Sequence, residues 1–454
     1  MSHPAALSPA ERRAISYANT LHLLVSHIFE SREGADRVLA NYFREHKKHG
    51  SKDRKLIRET LFGLFRWWGW LKCLPAVEDD AINAFGLGLS EGQRWFTQLS
   101  LVAAIENHPW QDIHSGWTAH AGLSELNIPA FGDMPESLTQ ICAALNSQFS
   151  GSNFAPAALL PEWAWEHFPV AQTDKLAFID ALCRRPPLWT RAQGTARAQV
   201  IKLLAADEIG AIPSQVFSSA IELASQSINL DALTAYKSGK LEVQDLASQA
   251  IGEVAAPKAG ERWWDACAGA GGKSLQLYSL MQQRGGVGEL VASDIRTKAL
   301  EELQRRADKA GFSPIQLSPW RSDKLPVKAN HFDGVLVDAP CSCTGTWRRN
   351  PDMRWIDDAS AILDKPALQL DILSRASQAV RTGGVLVYAT CSLAHAENDA
   401  VVEAFLSAHQ DFVLEPVKNP FTANSSQDEQ QGLLTLWPQQ ANADGMFVAR
   451  MRRR

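Results

Sequence analysis

The sequence predicts an α/β protein whose last part is a doubly wound parallel sheet, preceded by an all-helical unit and a small α+β segment. Three observations carry that expectation. From residue 261 onward the short apolar runs Trp263-Trp264, Leu290-Val291-Ala292, Val335-Leu336-Val337 and Val385-Leu386-Val387 alternate with helical stretches, the rhythm of strands joined by crossover helices. Up to about residue 150 the apolar residues recur at helical spacing instead, as in Leu21, Leu23, Leu24, Ile28, Phe29 and again Ile57, Leu61, Leu64, Phe65. Between them, Pro186 to Arg191 reads as a strand, Ala198 to Ala206 as a helix and Ala235 to Asp245 as a turn with a short strand. The expected domains are therefore 1–150, 151–255 and 256–454, with Pro257-Lys258-Ala259-Gly260 as the turn that opens the last.

Composition sets the outer limits. The 454 residues carry 45 Lys+Arg against 50 Asp+Glu, a formal charge of −5, with 45% hydrophobic and 21% charged residues. That balance supports a sizeable core and excludes disordered and fibrous chains. Apolar runs such as Gly384 to Ala389 fall far short of the roughly 18 to 20 residues of a membrane helix. The opening residues lack the basic start and apolar core of a secretory signal, so a cytoplasmic location with no membrane partner is expected. Seven cysteines in such a setting do not form a disulfide framework.

In the helical part, residues 44–58 hold seven Lys/Arg, among them Lys47, Lys48, Lys52, Arg54 and Lys55, against two acidic residues. In an acidic chain this asymmetry fits a phosphate backbone, with a solvated helix face as the alternative. The aromatic cluster Phe62, Phe65, Trp67, Trp68, Trp70 lies at helical spacing and reads as core rather than as a base-stacking platform.

The first strand of the last part runs into Asp265-Ala266-Cys267-Ala268-Gly269-Ala270-Gly271-Gly272-Lys273-Ser274. A phosphate-binding G-x-x-x-x-G-K-[ST] loop is excluded because position 267 is cysteine, and G-x-G-x-x-G because position 274 is serine. What remains is a turn free of side chains where a ligand approaches the backbone. Asp294 closes the second strand 25 residues after Gly269, where a carboxylate can accept hydrogen bonds from ribose hydroxyls, or cap the next helix. Asp323, after the third strand, could face an adenine or sit in a loop.

The fourth strand ends in Asp338-Ala339-Pro340-Cys341-Ser342-Cys343-Thr344-Gly345 and the fifth in Ala389-Thr390-Cys391-Ser392. In a doubly wound sheet these ends are neighbours, so Cys341 and Cys391 should flank one crevice beside Asp338, an arrangement suited to covalent catalysis. No metal site is expected, since C-x-C plus the isolated Cys391 and Cys267 does not match paired zinc-knuckle spacing. Cys267 and Cys343 can equally be small packed residues.

These motifs, with Arg348-Arg349-Asn350-Pro351-Asp352 and Glu397-Asn398, resemble the RNA (cytosine-5) methyltransferases of the Sun family, and the resemblance covers nearly the whole chain. Tyr42-Phe43-Arg44 with Gly50 to Arg54, and Glu242 to Asp245 with Ala247-Ser248-Gln249, are similar to that family's NusB-like and linker segments. Two departures stand out: Ala270 replaces a proline of the glycine turn, which leaves its backbone less fixed, and Arg191-Ala192-Gln193 replaces Arg-Val-Asn.

The resemblance implies a Rossmann-like class I methyltransferase domain behind a NusB-like RNA-binding domain. It implies S-adenosylmethionine as cofactor, held by Cys267, Ala268, Gly269, Ala270, Gly271, Gly272, Lys273, Asp294, Asp323 and Asp338. It also implies RNA as substrate, 16S ribosomal RNA by analogy of the helical front, with Arg191 and the basic run as contacts. Cys391 becomes the nucleophile that adds to cytosine C6, Cys341 the group that assists elimination, and Asp338 the partner of the base near N3, while Lys273 is one candidate to lower the Cys391 pKa. Three alternatives stay open: Cys341 as nucleophile, as in DNA cytosine-5 enzymes; a transfer RNA substrate; and a non-catalytic RNA-binding assembly factor. A protein or small-molecule acceptor is disfavoured, because heteroatoms need no covalent activation.

Overall fold

The structure is a computed structural model that describes residues 7–74, 92–123, 126–134, 136–149, 151–224, 228–422 and 427–454. Its contacts divide it into two compact units, one of Met1–Glu166, Val170–Arg184 and Asn350–Asp358, the other of His167–Pro169, Arg185–Arg349 and Ala359–Arg454. Among the described residues no helix is long and apolar enough to cross a membrane.

The first unit is helical, and its helices run past residue 150 to Lys175–Cys183. The first helix, α1 (Pro9–Ser31), opens on a capping box: Ser8 Oγ accepts from the Glu11 N–H at 3.2 Å and Glu11 Oε2 accepts from the Ser8 N–H at 2.7 Å. The next two, α2 (Ala35–Glu45) and α3 (Ser51–Leu71), bracket the basic run. As the spacing predicts, α3 buries Phe65, Trp67 and Trp70, the two indoles stacked at 5.2 Å between centroids. Glycine at position 69 is forced by close approach, since a Cβ there would lie 1.8 Å from the Ala158 carbonyl oxygen. Inside this core the Arg66 guanidinium and the Trp67 indole N–H both donate to Glu106 Oε1, so a buried charge is paired rather than stranded.

Asn350–Asp358, remote in sequence, is held in the same unit. Asp352 Oδ2 accepts the Ala35 N–H at 2.8 Å, the Trp355 indole donates to the Phe65 carbonyl at 2.7 Å, and Arg354, 0% exposed, donates to the Leu182 carbonyl at 2.5 Å.

The second unit holds two sheets. The smaller is antiparallel, order β2-β3-β1-β4, from β1 (Leu188–Ala192), β2 (Ala211–Pro213), β3 (Ala220–Leu223) and β4 (Leu241–Val243). The larger uses β5 (Arg262–Asp265), β6 (Glu289–Ala292), β7 (Gln316–Leu317), β8 (Phe332–Asp338), β9 (Val380–Thr390), β10 (Phe412–Leu414), β11 (Leu433–Leu436) and β12 (Met446–Arg453), in the order β10-β12-β9-β8-β5-β6-β7 with β11 on β12. Strands β5 to β9 are mutually parallel, with apolar cores on both faces, as their continuous apolar runs predict. Strand β12 departs from the parallel expectation: it runs antiparallel to β9, β10 and β11. The chain between Leu436 and Met446 is too short for a crossover, so β12 returns as a hairpin partner.

From β5 the chain winds outward through β6 and β7, then resumes on the other side with β8 and β9. The reversal falls between β5 and β8, and a doubly wound sheet opens its ligand crevice beyond the carboxyl ends of such strands.

Candidate active site

The turn after β5 is shaped by two left-handed glycines, Gly269 at φ 54° and Gly271 at φ 90°. A Cβ on Gly271 would also meet Leu303 Cγ at 2.5 Å, so glycine is required there twice over. A Cβ on Gly272 would meet nothing within 4 Å, which leaves open space over the start of the helix Gly272–Gln283. Ala270 stands where a proline was expected, but its carbonyl accepts a hydrogen bond from Arg306, whose guanidinium also pairs with Glu242 at 2.7 Å. The backbone is thus fixed by a donor from outside the turn. Beneath it, Asp265 accepts the Ser274 hydroxyl at 2.6 Å while its Oδ1 accepts no hydrogen bond, and burial pushes its carboxyl up to about 7.

Asp294 lies just past β6 and reaches the turn: its Oδ2 accepts the Gly269 N–H at 2.9 Å. The Arg296 guanidinium grips the same carboxylate at 3.0 and 3.1 Å. Burial works against the charge, but Arg296 and the backbone donors hold Asp294 below the usual carboxylate range. Asp323, past β7, has a fully exposed side chain 3.6 Å from Arg375.

At the carboxyl ends of β8 and β9 the expected juxtaposition is present. Asp338 pairs in register with Ala389, and Cys341 Sγ lies 3.4 Å from Cys391 Sγ. Cys343 Sγ joins them, all three sulfurs lying within 4.8 Å of one another. Lys273, from the helix after the glycine turn, bonds Asp338 Oδ2 at 2.7 Å. Burial pushes Asp338 above the usual carboxylate range despite Lys273, whereas Asp338 holds the lysine charged against its own burial. Hydrogen bonds from Cys341 and Cys391 hold Cys343 down to about 4. Cys391 is pushed up to about 12, the Cys341 hydrogen bond being outweighed by the one with Cys343, by burial and by Cys343's charge, with Lys273 opposing. One thiolate among three thiols is favoured and a second is resisted, so the charge belongs to the trio.

Both cysteine turns are tied from below by Glu397, which is fully buried. Its carboxylate accepts the Ser342 N–H at 2.8 Å, the Ser342 hydroxyl at 2.5 Å, the Gln369 amide at 3.0 Å and the Ser392 hydroxyl. Asn398 adds a bond to the Ser392 carbonyl at 3.0 Å. Glycine at 345 lets the strands' loops touch: its N–H donates to the Cys391 carbonyl at 2.9 Å, and a Cβ would lie 2.0 Å from the Gly445 carbonyl oxygen. The sequence singles out Glu397 and Asn398 as a motif but assigns them no part in the site, and Arg296 and Arg306 carry no local signal at all.

The family pattern of the 16S rRNA methyltransferase RsmB/F matches residues 253–452. Ribosomal RNA small subunit methyltransferase B of Serratia proteamaculans is 30% identical over 427 residues, covering 89% of this chain and 92% of its own. The chain belongs to the 16S rRNA methyltransferase RsmB/F family. A probable ribosomal RNA small subunit methyltransferase B of Bacillus subtilis is 29% identical over 307 residues, 66% of each chain. Among solved structures, PH0851 superposes with a TM-score of 0.71 at 22% identity over 99% of this chain and 100% of its own. NSun6 from Pyrococcus horikoshii, solved with SFG, gives 0.53 at 18% identity over 62% of this chain and 94% of its own. These two likenesses speak for the fold.

The RNA-contact expectations divide for this RsmB/F family member. Arg44, Lys47, Lys48, Lys52, Lys55 and Arg58 are exposed around the start of α3, while Arg54 turns inward, donating to the His49 carbonyl at 2.9 Å and covering the Phe43 ring at 5.2 Å. Arg191 requires a correction: it is 1% exposed and bonds Gln244 and Gln193 at 2.8 and 3.1 Å, so it braces the small sheet and offers RNA no donor.

Proposed function

We propose that this protein transfers a methyl group to C5 of a cytosine in RNA, with 16S ribosomal RNA as the substrate, through a transient bond from Cys391 to C6 of the base. The observation that carries the reading is the pair of sulfurs 3.4 Å apart at adjoining strand ends, with the Asp338–Lys273 pair of the same crevice joining β8 to the glycine turn. Heteroatom methylation needs no thiol, whereas C5 of cytosine is nucleophilic only after addition to C6.

S-adenosylmethionine, when bound, supplies an electrophilic methyl group. The open space over Gly272, the side-chain-free turn and the carboxylate of Asp294 fit an adenosine and its ribose, and Arg296, a surface side chain, leaves Asp294 as the hydroxyls arrive. Asp323, exposed past β7, is the candidate for the adenine side of that cradle. Asp338 hydrogen-bonds the base near N3 as charge develops there, and its pair with Lys273 keeps it in place. Cys391 adds to C6, and Cys341 then takes the C5 proton or passes it on, so that Cys391 can leave. The target base must leave its stack to enter the crevice. The proposed place of action is the cytoplasm.

The deciding experiment is bisulfite sequencing of total RNA from cells with and without the gene, complemented by wild type and by Cys391→Ala. One lost cytosine mark restored by wild type alone supports the reading; an unchanged map overturns it.

Two binding predictions follow from the same reading. Asp294→Ala is expected to weaken S-adenosylmethionine binding by roughly tenfold or more while RNA binding holds, as loss of a hydrogen-bonded charge costs about 1.5–3 kcal/mol; calorimetry with each ligand checks it, and equal affinities refute it. Replacing Lys47, Lys48, Lys52 and Lys55 with alanine is expected to lower the slope of log affinity against log salt by up to about 3 to 4. An unchanged slope returns the run to a solvated face.

A further inference from the structure

We infer that Cys341, Cys343 and Cys391 together form a binding site for one soft divalent cation of the zinc group, and that its occupation reversibly blocks methyl transfer. The block rests on the reading of Cys391 as nucleophile; the binding does not.

The sequence spacing argues against a zinc knuckle, but the fold supplies what spacing alone does not. Cys341 and Cys391 are delivered by the ends of two neighbouring parallel strands, and the third sulfur comes from a turn two residues beyond Cys341. Cys343 sits in the left-handed region at φ 59°, where a non-glycine residue costs on the order of 1 kcal/mol or more. That conformation folds the C-x-C segment back so that all three Sγ atoms fall within 4.8 Å of one another. A zinc–sulfur bond is about 2.3 Å, which sets sulfurs roughly 3.8–4.0 Å apart around one ion. The 3.4 Å between Cys341 and Cys391 needs only a few tenths of an ångström of widening.

Charge favours occupancy as well. With one of the three already a thiolate, binding of M2+ releases two protons to solvent and leaves a complex of net charge −1. Lys273 and Arg349 are both within electrostatic reach of Cys391, and Arg349, paired with Asp444 at 2.9 Å, keeps a side chain 53% exposed. Three thiolates select soft or borderline ions over magnesium and calcium. Three protein ligands leave a fourth position for water, so the ion can enter and leave by the path the base uses. While it is bound, the Cys391 lone pair is committed to the metal and unavailable for C6.

The test uses the reduced full-length protein without RNA or S-adenosylmethionine. Titration with Cd2+ is expected to raise a sulfur-to-metal charge-transfer absorption that saturates at one ion per chain and is displaced by Zn2+. Cys343→Ser, and Cys343→Gly, which suits the left-handed backbone, are each expected to weaken Cd2+ more than about 100-fold, since even partners outside the ligand shell cost roughly 10- to 100-fold. In methyl transfer, wild type should be stopped by stoichiometric Zn2+ and restored by a chelator. Each variant, measured against its own uninhibited rate, should need about 100-fold more. No charge-transfer band in wild type, or Cys343 variants that bind Cd2+ as wild type does, overturns the inference. A protein that binds Cd2+ as expected yet methylates no RNA overturns the proposed function instead.

Discussion

Cys341→Ala protein, incubated with S-adenosylmethionine and substrate RNA, will accumulate a protein–RNA adduct that survives denaturing electrophoresis, and Cys391→Ala will form none. The two sulfurs are 3.4 Å apart, so either could reach the same base, and geometry alone does not rank them. Their assignments differ in what is lost. Without Cys341 the bond to C6 still forms and the methyl is still transferred, but the step that expels the enzyme is crippled and the adduct persists. Without Cys391 no bond forms, and methyl transfer should fall by about 10^4-fold or more, the scale on which removing a nucleophile acts in covalent catalysis. The reverse pattern, trapping by Cys391→Ala alone, would hand the nucleophile's part to Cys341.

Glu397→Gln is expected to lower kcat by about 10- to 100-fold with little change in the KM for RNA, although Glu397 touches neither reactant. Its carboxylate accepts from the residues that directly follow each cysteine, Ser342 and Ser392, and so sets how the two turns face each other. A shift of about 1 Å at a reacting group costs on the order of 100-fold in rate. Glutamine keeps the shape but turns an amide N–H2 toward hydroxyls that now donate to it. Glu397→Ala goes further, leaving buried donors unmet and costing about 3–5 kcal/mol of stability, readable as a lower urea midpoint. If Glu397→Gln traps RNA through its cysteines at the wild-type rate and turns over normally, the residue has no positioning role.

Much of the second unit was legible because parallel strands buried on both faces announce themselves locally, as Val335-Leu336-Val337 and Val385-Leu386-Val387 do. The meeting of Cys341, Cys391 and Asp338 followed from the strand order alone. Features that depend on pairing through space were not legible. Strand β12 takes its direction from the short return after β11, and Arg306 finds the Ala270 carbonyl only once the helix Thr297–Ala310 is packed. Arg191 was expected at the RNA only through the resemblance, and a strand-like segment carries no mark of its burial; its place opposite Gln244 is set by the small sheet. Asp323, a loop aspartate after a strand, has no local sign of which way it faces, and its exposed side chain beside Arg375 leaves both readings of the sequence standing. The third sulfur was visible as a residue but not as a neighbour, because a left-handed backbone at Cys343 is a property of the turn and not of its composition.

Asn350–Asp358 bears on how such a protein can be taken apart. A chain cut after Arg184 keeps this segment but discards the Ala35 N–H that bonds Asp352, the Leu182 carbonyl that bonds Arg354 and the Phe65 carbonyl that bonds Trp355. A buried guanidinium and an indole would then face water at the far end of the same loop that begins with Cys341. The two parts are therefore not interchangeable cassettes. A chimaera built by swapping the helical half with that of a relative inherits a lock cut for a different key, unless residues 350–358 travel with the helices.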